Sequence, residues 1–470
     1  MARLYAALAG LIWLAIALGY AQDAASPALR PGHVQSVTCA ANAAQSYELY
    51  LPTAYAAAKR WPIIYLFDPG GRGRYPIELY KDVAEKYGFI IAGSNNSRNF
   101  GGDVSTAINA LWLDTHQRLA IDDRRTYASG FSGGARVAGA MAFGCPPCHI
   151  AGVIASGAGY PGNFAQASNK DKVLYFFAVG DQDFNWPEVM TIRNQREESG
   201  LPYRVRVFPG PHQWAPAPVM DEAIAWLTLK GMQSGDVPKD SSFIDRLFQE
   251  RQVEATVAEK NADAVAQFGA YRSLVSDFAG LKDSREFTEK LATLKKSAAL
   301  KNALKKEQDQ VAEQSRLEQE ASSRMRPYLE NTADDPISLH NDILQSLKRL
   351  SDAADHAKQE SQRLVSRRAL DDIWVSWIET GQQELESRHY QKAEACFELM
   401  SEVRDDPWPV LLLAETYAAA GNKKLGIRNL QEAVKRGLKN RSAVESNERL
   451  QLLRTEPEFQ KIIDTLQPAP

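Results

Sequence analysis

Cysteine is scarce: four residues in 470, namely Cys39, Cys145, Cys148 and Cys396. One C-x-x-C, Cys145-Pro146-Pro147-Cys148, stands without a second ligand pair, which argues against a zinc framework. An excess of either charge is also missing. Lys and Arg number 55 against 58 Asp and Glu, a net charge of −3, so nothing suggests a nucleic-acid partner. No apolar run after Leu18 is long enough to cross a bilayer. Glycine and proline thin out from Ser241 to Arg326, where Ala, Leu, Glu, Gln and Lys dominate. Those are strong helix formers. Sustained apolar heptads are lacking there, which favours a helical spacer or hairpin over a self-associating coiled coil. What is present is a 44% hydrophobic share, ample for real cores. The length suggests about two to four domains.

The N-terminus reads as an export signal. Arg3 supplies the positive start, Leu4 to Leu18 is almost wholly apolar, and Gly19-Tyr20-Ala21 is a small-x-small cleavage site. The expected mature chain begins at Gln22 and is periplasmic or secreted; the alternative is an uncleaved anchor. No lipid-accepting cysteine stands at the processing site. In an exported chain the C-x-x-C suggests a structural disulfide. Whether Cys145 pairs with Cys148 or with Cys39 is left open.

The most informative segment is Gly130-Phe131-Ser132-Gly133-Gly134. A short strand precedes it and a helical pattern follows, the setting of a nucleophile elbow. A serine in so sharp a turn brings backbone close to its flanks, so Gly130 and Gly134 fit where a Cβ would collide. The bland alternative is a close-packed glycine turn. A serine nucleophile also needs a base, a carboxylate to orient it and donors for an oxyanion. The apolar run Val173–Val179 reads as a buried parallel strand and ends in Gly180-Asp181-Gln182-Asp183. Asp183 is the favoured acid and Asp181 its competitor. Pro187 to Ser199 reads as helix, Tyr203–Phe208 as the last strand, and Val219 to Lys230 as a closing helix. His212 falls on the loop after that strand, where the base belongs. For the oxyanion the first donor is the Gly133 N–H. The second is Gly70 ahead of Gly71, on the loop after the strand Trp61–Phe67.

Residues 45–230 resemble the compact α/β-hydrolase esterases of the polyhydroxybutyrate depolymerase and feruloyl esterase group. The matching pieces are Tyr47-Glu48-Leu49-Tyr50-Leu51-Pro52, the Trp61–Gly73 strand and loop, Ser129–Ala135, the Asp183 loop and the His212 loop. The resemblance implies an α/β fold, serine carboxylesterase chemistry on a small-molecule or polymer ester, and no metal or organic cofactor. Many relatives carry His-Gly where this chain has Asp68-Pro69, which brings a carboxylate close to the oxyanion site. The spacing from Ser132 to Asp183 to His212 leaves no room for a large inserted lid, so an open site is expected. A peptidase or amidase with the same triad, and a non-catalytic scaffold, are the competing readings.

From Ile373 onward Gly381, Ala393 and Phe397 recur as Ala414, Gly426 and Leu430, each shifted by 33 residues. Such spacing resembles tetratricopeptide helix pairs, which imply either a protein-binding surface or a stabilising appendage. The expected organisation is a signal peptide over 1–21, an α/β-hydrolase unit over 33–232, a helical spacer over 241–365 and a tetratricopeptide-like unit over 373–467. Gly231–Pro238 reads as a linker, with the hydrolase unit able to stand alone.

Overall fold

Strands buried on both faces need continuous apolar runs, and three segments supply them: Trp61–Phe67, Gly152–Ser156 and Leu174–Gly180. In the computed structural model, which describes residues 29–99, 101–162, 173–330 and 332–467, these lie near the middle of an eight-stranded sheet. Its strands are β1 (Val34–Cys39), β2 (Asn42–Tyr50), β3 (Trp61–Phe67), β4 (Ile90–Ser94), β5 (Ile121–Phe131), β6 (Gly152–Ser156), β7 (Leu174–Gly180) and β8 (Tyr203–Phe208). The spatial order is β1-β2-β4-β3-β5-β6-β7-β8. β1 and β2 pair antiparallel, as do β2 and β4; every other pair is parallel. The signal-peptide region lies outside the described residues.

Helices cover both faces, as a mostly parallel sheet requires. On one face lie α2 (Val104–Arg118), α3 (Gly133–Gly144) and α4 (Trp186–Glu198), through Ile108, Leu111, Met141 and Val189. On the other lie α1 (Arg74–Tyr87) and α5 (Ala217–Ser234), through Ile77, Tyr80, Met220 and Leu227. Cys145 and Cys148 form a disulfide just after α3, and Cys39 and Cys396 are free and buried.

The two elbow glycines are set by backbone approach. A Cβ on Gly130 would lie 2.1 Å from the Gly134 carbonyl oxygen, and one on Gly134 would lie 1.9 Å from that of Phe67. The first turn of α3 is therefore pressed against the end of β3. Neither clash can be relieved by a side-chain rotation. Gly134→Ala should destabilise the fold by roughly 3 kcal/mol, the upper end of overpacking costs. A thermal melt unchanged from wild type would contradict that contact.

After α5 the regular elements among the described residues are all helices: α6 (Ser241–Lys260), α7 (Ala264–Ser276), α8 (Arg285–Lys296), α9 (Ala298–Leu329), α10 (Pro336–His356), α11 (Glu360–Glu386), α12 (Tyr390–Val403), α13 (Pro407–Ala419), α14 (Lys423–Lys435), α15 (Ser442–Glu445) and α16 (Pro457–Ile463), with a 3-10 helix over Glu448–Thr455. Pro327 sits in the last turn of α9, whose 32 residues run on to Leu329. Two expectations need correction. The boundary drawn between 365 and 373 falls inside α11, so the helical half does not divide at that point. Gly231–Pro238 is not a free linker. α5 continues to Ser234, and Val237 folds back so that its N–H donates to the Gly231 carbonyl at 3.0 Å.

The helical half is fastened to the sheet unit rather than tethered beside it. Ala225, Leu229 and Met232 of α5 share a core with Ile244 and Leu247 of α6 and with Phe278. The arginines of β8 face a charged network instead of water. Arg204 Nε donates to Glu222 at 2.6 Å and its Nη1 to Ser273 at 2.6 Å. Arg206 bridges Glu222 at 2.6 Å and Glu254 of α6 at 2.8 Å. Asp277 accepts from the Trp226 indole at 2.9 Å. Burial would raise the Glu222 carboxyl, but Arg204, Arg206 and Arg251 together hold it down at about 2. An alternating Tyr-Arg-Val-Arg strand normally has one face in water. Here α6 and α7 cover that face.

Candidate active site

Ser132 joins β5 to α3 at φ 53°, ψ −123°, a conformation that costs a non-glycine residue roughly 1–3 kcal/mol. Backbone bonds hold it there. Its N–H donates to the Ser156 carbonyl at 2.9 Å, and its own carbonyl accepts from Ala135 at 3.0 Å. The hydroxyl is thereby placed at the positive end of α3. The Gly133 N–H opens that helix and has no acceptor among the described residues.

Asp183 is fully buried on the loop between β7 and α4. Its Oδ1 lies 2.9 Å from His212 Nδ1 and accepts the Asn185 N–H at 2.8 Å. Asp181 points elsewhere: its Oδ1 accepts the Gly210 N–H at 2.9 Å, tying the acid loop to the histidine loop. A Cβ on Gly180 would lie 2.2 Å from the Gly210 carbonyl oxygen, so a glycine is needed where those loops cross. The imidazole of His212 is packed between Phe184, with centroids 4.1 Å apart, and Phe131, at 4.5 Å. Phe131 immediately precedes Ser132, so serine, histidine and acid emerge at one edge of the sheet. Gly157, at φ +61°, passes beneath them; a Cβ there would lie 2.8 Å from Asp183 Oδ2 and 3.1 Å from His212 Nδ1.

The second oxyanion donor does not fall where the sequence suggests. The Gly70 N–H donates to Asp68 Oδ1 at 2.9 Å, and the Gly71 N–H to the Asp68 carbonyl at 3.0 Å. The cause is the Asp68-Pro69 departure itself. The Asp68 carboxylate is wholly buried and also takes Arg72 Nε at 2.8 Å and Trp214 Nε1 at 3.0 Å. Burial would raise its carboxyl, but Arg72, Trp214 and Gly70 outweigh that and hold it below the ordinary range. Instead the Asn99 side chain reaches the elbow. Its Oδ1 stands 2.0 Å from where a Cβ on Gly133 would be, so a side chain at 133 would displace Asn99. Nothing local in the sequence marks Asn99 for this place.

The strand order with its antiparallel start, the helices on both faces and the strained serine after β5 are those of the α/β-hydrolase fold. No family model matches the chain, and no curated protein is significantly similar in sequence. Solved structures similar to part of this chain include a fluorophosphonate-binding serine hydrolase of Staphylococcus aureus. It is 14% identical with a TM-score of 0.35, over 42% of this chain and 98% of its own. Esterase 2 of Thermogutta terrifontis is 12% identical with a TM-score of 0.34, over 44% and 96%. The feruloyl esterase module of Clostridium thermocellum is 18% identical with a TM-score of 0.32, over 41% and 84%.

The helical half also reaches this edge, which the expectation of an open site did not include. Gln314 of α9 donates to the Phe184 carbonyl at 2.9 Å, and Arg368 of α11 to the Asp181 carbonyl at 2.7 Å. Asp372 and Glu379 lie on the same stripe of α11 as Arg368 and make no ion pair or hydrogen bond among the described residues. Burial pushes the Asp372 carboxyl up to about 6, opposed by the nearby His212. Burial and Asp372 raise Glu379 as well. Burial, with Asp372 beside it, lifts Glu318 to about 7.

The Asp372 shift predicts a stability effect with a definite sign. A carboxyl raised from 3.8 to about 6 in the folded protein is protonated there while the unfolded chain is already ionised. Its destabilising contribution therefore grows as pH rises through that window and is complete above it. Asp372→Asn should raise stability at pH 8 by about 1 kcal/mol, a figure that allows for partial solvent screening. It should change little at pH 4. Because the lost anion faces His212, the acid limb of kcat/KM should also move to lower pH. Melts at the two pH values and a pH–rate profile check both.

Proposed function

We propose that this protein is a serine hydrolase that cleaves carboxylic esters. The observation that carries the reading is the buried Asp183–His212 pair, 2.9 Å apart, at the sheet edge where the strained Ser132 emerges. Ser132 Oγ attacks the ester carbonyl carbon while His212 Nε2 takes its proton. Asp183 holds Nδ1–H and steadies the imidazolium. The oxyanion is met by the Gly133 N–H. His212 then gives its proton to the departing alkoxide. Water attacks the acyl-enzyme with His212 again as base, and Ser132 is released with the acid.

Export to an oxidising compartment is part of the proposal, supported by the apolar N-terminal run and by the Cys145–Cys148 disulfide. So is a partner-binding role for α11–α14, supported by the 33-residue spacing, which relates residues of α11 and α12 to residues of α13 and α14. No helix among the described residues is long and apolar enough to cross a membrane.

The test is a fluorophosphonate probe together with p-nitrophenyl esters of graded acyl length. Stoichiometric labelling of Ser132 with turnover on at least one ester is expected. A chain that is folded, unlabelled and inert on the whole panel would overturn the reading in favour of a scaffold.

A further inference from the structure

We propose that Arg368 and Gln314, contributed by the helical half, are positioning residues for the acid loop, so that the triad is completed by helices more than a hundred residues downstream. This rests on the serine-hydrolase reading above. The loop from Gly180 to Asn185 carries Asp183, and its amides are held by the sheet unit: the Asp181 N–H donates to the Phe208 carbonyl at 2.9 Å and the Gln182 N–H to the Gly210 carbonyl at 3.0 Å. The Asp183 N–H donates to the Gly180 carbonyl at 3.2 Å, and Asn185 Nδ2 donates to the Gly157 carbonyl at 2.7 Å. Its carbonyls at Asp181 and Phe184 flank the acid on either side. Buried carbonyls need partners. Both partners come from outside the sheet unit: Arg368 Nε at 2.7 Å and Gln314 Nε2 at 2.9 Å.

Both donors are almost completely enclosed, 2% and 1% exposed. The Arg368 guanidinium also lies over the ring of Trp186, 4.0 Å from its centroid, at the start of α4. Three grips thus hold one short loop. Through Phe184 they also fix the ring that packs on the imidazole, 4.1 Å away. Arg368 adds charge as well. Burial pulls its guanidinium down to about 10, opposed by Asp181, Asp183 and Glu307, so it remains a cation at neutral pH. The Asp183–His212 pair is then faced by Arg368, Asp372 and Glu379 from α11 and by Asp181 in its own loop. That cation lies beside the carboxylates of Asp181 and Asp183.

If these contacts only dock the two halves, their loss costs stability and leaves the chemistry intact. If they position the acid, the loss appears in kcat. The experiment uses the full chain with Arg368→Ala, Arg368→Lys and Gln314→Ala. Arg272→Gln is the control; it breaks a 2.7 Å ion pair between α7 and Glu197 of α4, away from the loop. Turnover of p-nitrophenyl butyrate, fluorophosphonate labelling, pH–rate profiles and melts are measured on each folded variant. A misplaced catalytic group costs on the order of 100-fold. Arg368→Ala should lower kcat by about that factor with KM little changed and the acid limb moved to higher pH, and Gln314→Ala by about tenfold. Arg368→Lys should restore part of the rate. Arg272→Gln should lower the melting temperature alone.

Folded Arg368→Ala and Gln314→Ala proteins with wild-type kcat and an unmoved acid limb would overturn the positioning role. A wild-type chain that neither labels nor turns over would instead remove the hydrolase reading, a result distinguishable from the first. Should Arg368→Ala fail to fold, Arg368→Lys and Gln314→Ala decide the question by the same readouts.

Discussion

Ser132→Ala and His212→Ala should each lower ester turnover by about 10⁴-fold or more while leaving the fold intact. Members of a triad act as a unit, so removing either one forfeits most of what the set supplies. The residual rate comes from substrate binding and from the oxyanion donors. Asp183→Asn should cost nearly as much, because an uncharged amide cannot steady the imidazolium and its NH2 can face Nδ1 and hold the wrong tautomer. Asp181→Asn should cost far less. Its carboxylate meets the Gly210 N–H and not the imidazole, and an amide oxygen can still accept that bond. Steady-state kinetics on the best p-nitrophenyl ester, with circular dichroism of each variant, separate these outcomes. A Ser132→Ala protein with wild-type turnover would end the esterase proposal.

Ending the chain after Ser234 should be nearly as damaging. On the sequence alone, such a fragment holds every motif a serine esterase needs and is expected to work. The structure gives three reasons for the opposite result. Ala225, Leu229 and Met232 would lose their cover from α6 and expose an apolar patch, an aggregation risk. Arg204 and Arg206 would lose Ser273, Asp277 and Glu254, leaving only Glu222 to balance two arginines. The carbonyls of Asp181 and Phe184 would lose Arg368 and Gln314. The fragment should be poorly soluble, and any folded portion should turn over ester at least about 100-fold more slowly than the full chain. A soluble fragment of full activity would show that the helical half is dispensable for chemistry. A milder deletion, of residues 387–470, keeps α9 and Arg368 and should retain far more activity if it folds. Assaying the two truncations side by side locates the dependence in α9–α11.

Local chemistry explains why so much of the sheet unit was legible. Trp61–Phe67 and Tyr203–Phe208 are strands with the bounds their side-chain patterns suggest, because burial on both faces or on one leaves a periodic trace. The elbow was legible for the same kind of reason. Gly130 and Gly134 each have backbone within about 2 Å of a would-be Cβ, and only one residue type tolerates that. Long-range pairing left no such trace. Its neighbours in the chain suggest Gly70 as a donor, yet its N–H is taken by Asp68, whose carboxylate is fixed by Trp214 146 positions away. Asn99 and Gly157 matter through what they approach across space, and neither carries a motif.

The sequence by itself determined the element types, the strained serine turn, the order of serine, acid and histidine, and the helical character of the second half. Each follows from interactions within a few residues along the chain, where side-chain period and glycine placement encode the outcome directly. Only the tertiary structure decided which aspartate meets His212, which amides are spoken for, and that α9 and α11 grip the acid loop. Those depend on hydrogen bonds and charges brought together across 130 and 187 residues. A buried arginine in a helix looks the same in sequence whether it caps a carbonyl beside a catalytic acid or sits in a solvated stripe. Its desolvation and its partner exist only once the chain is folded.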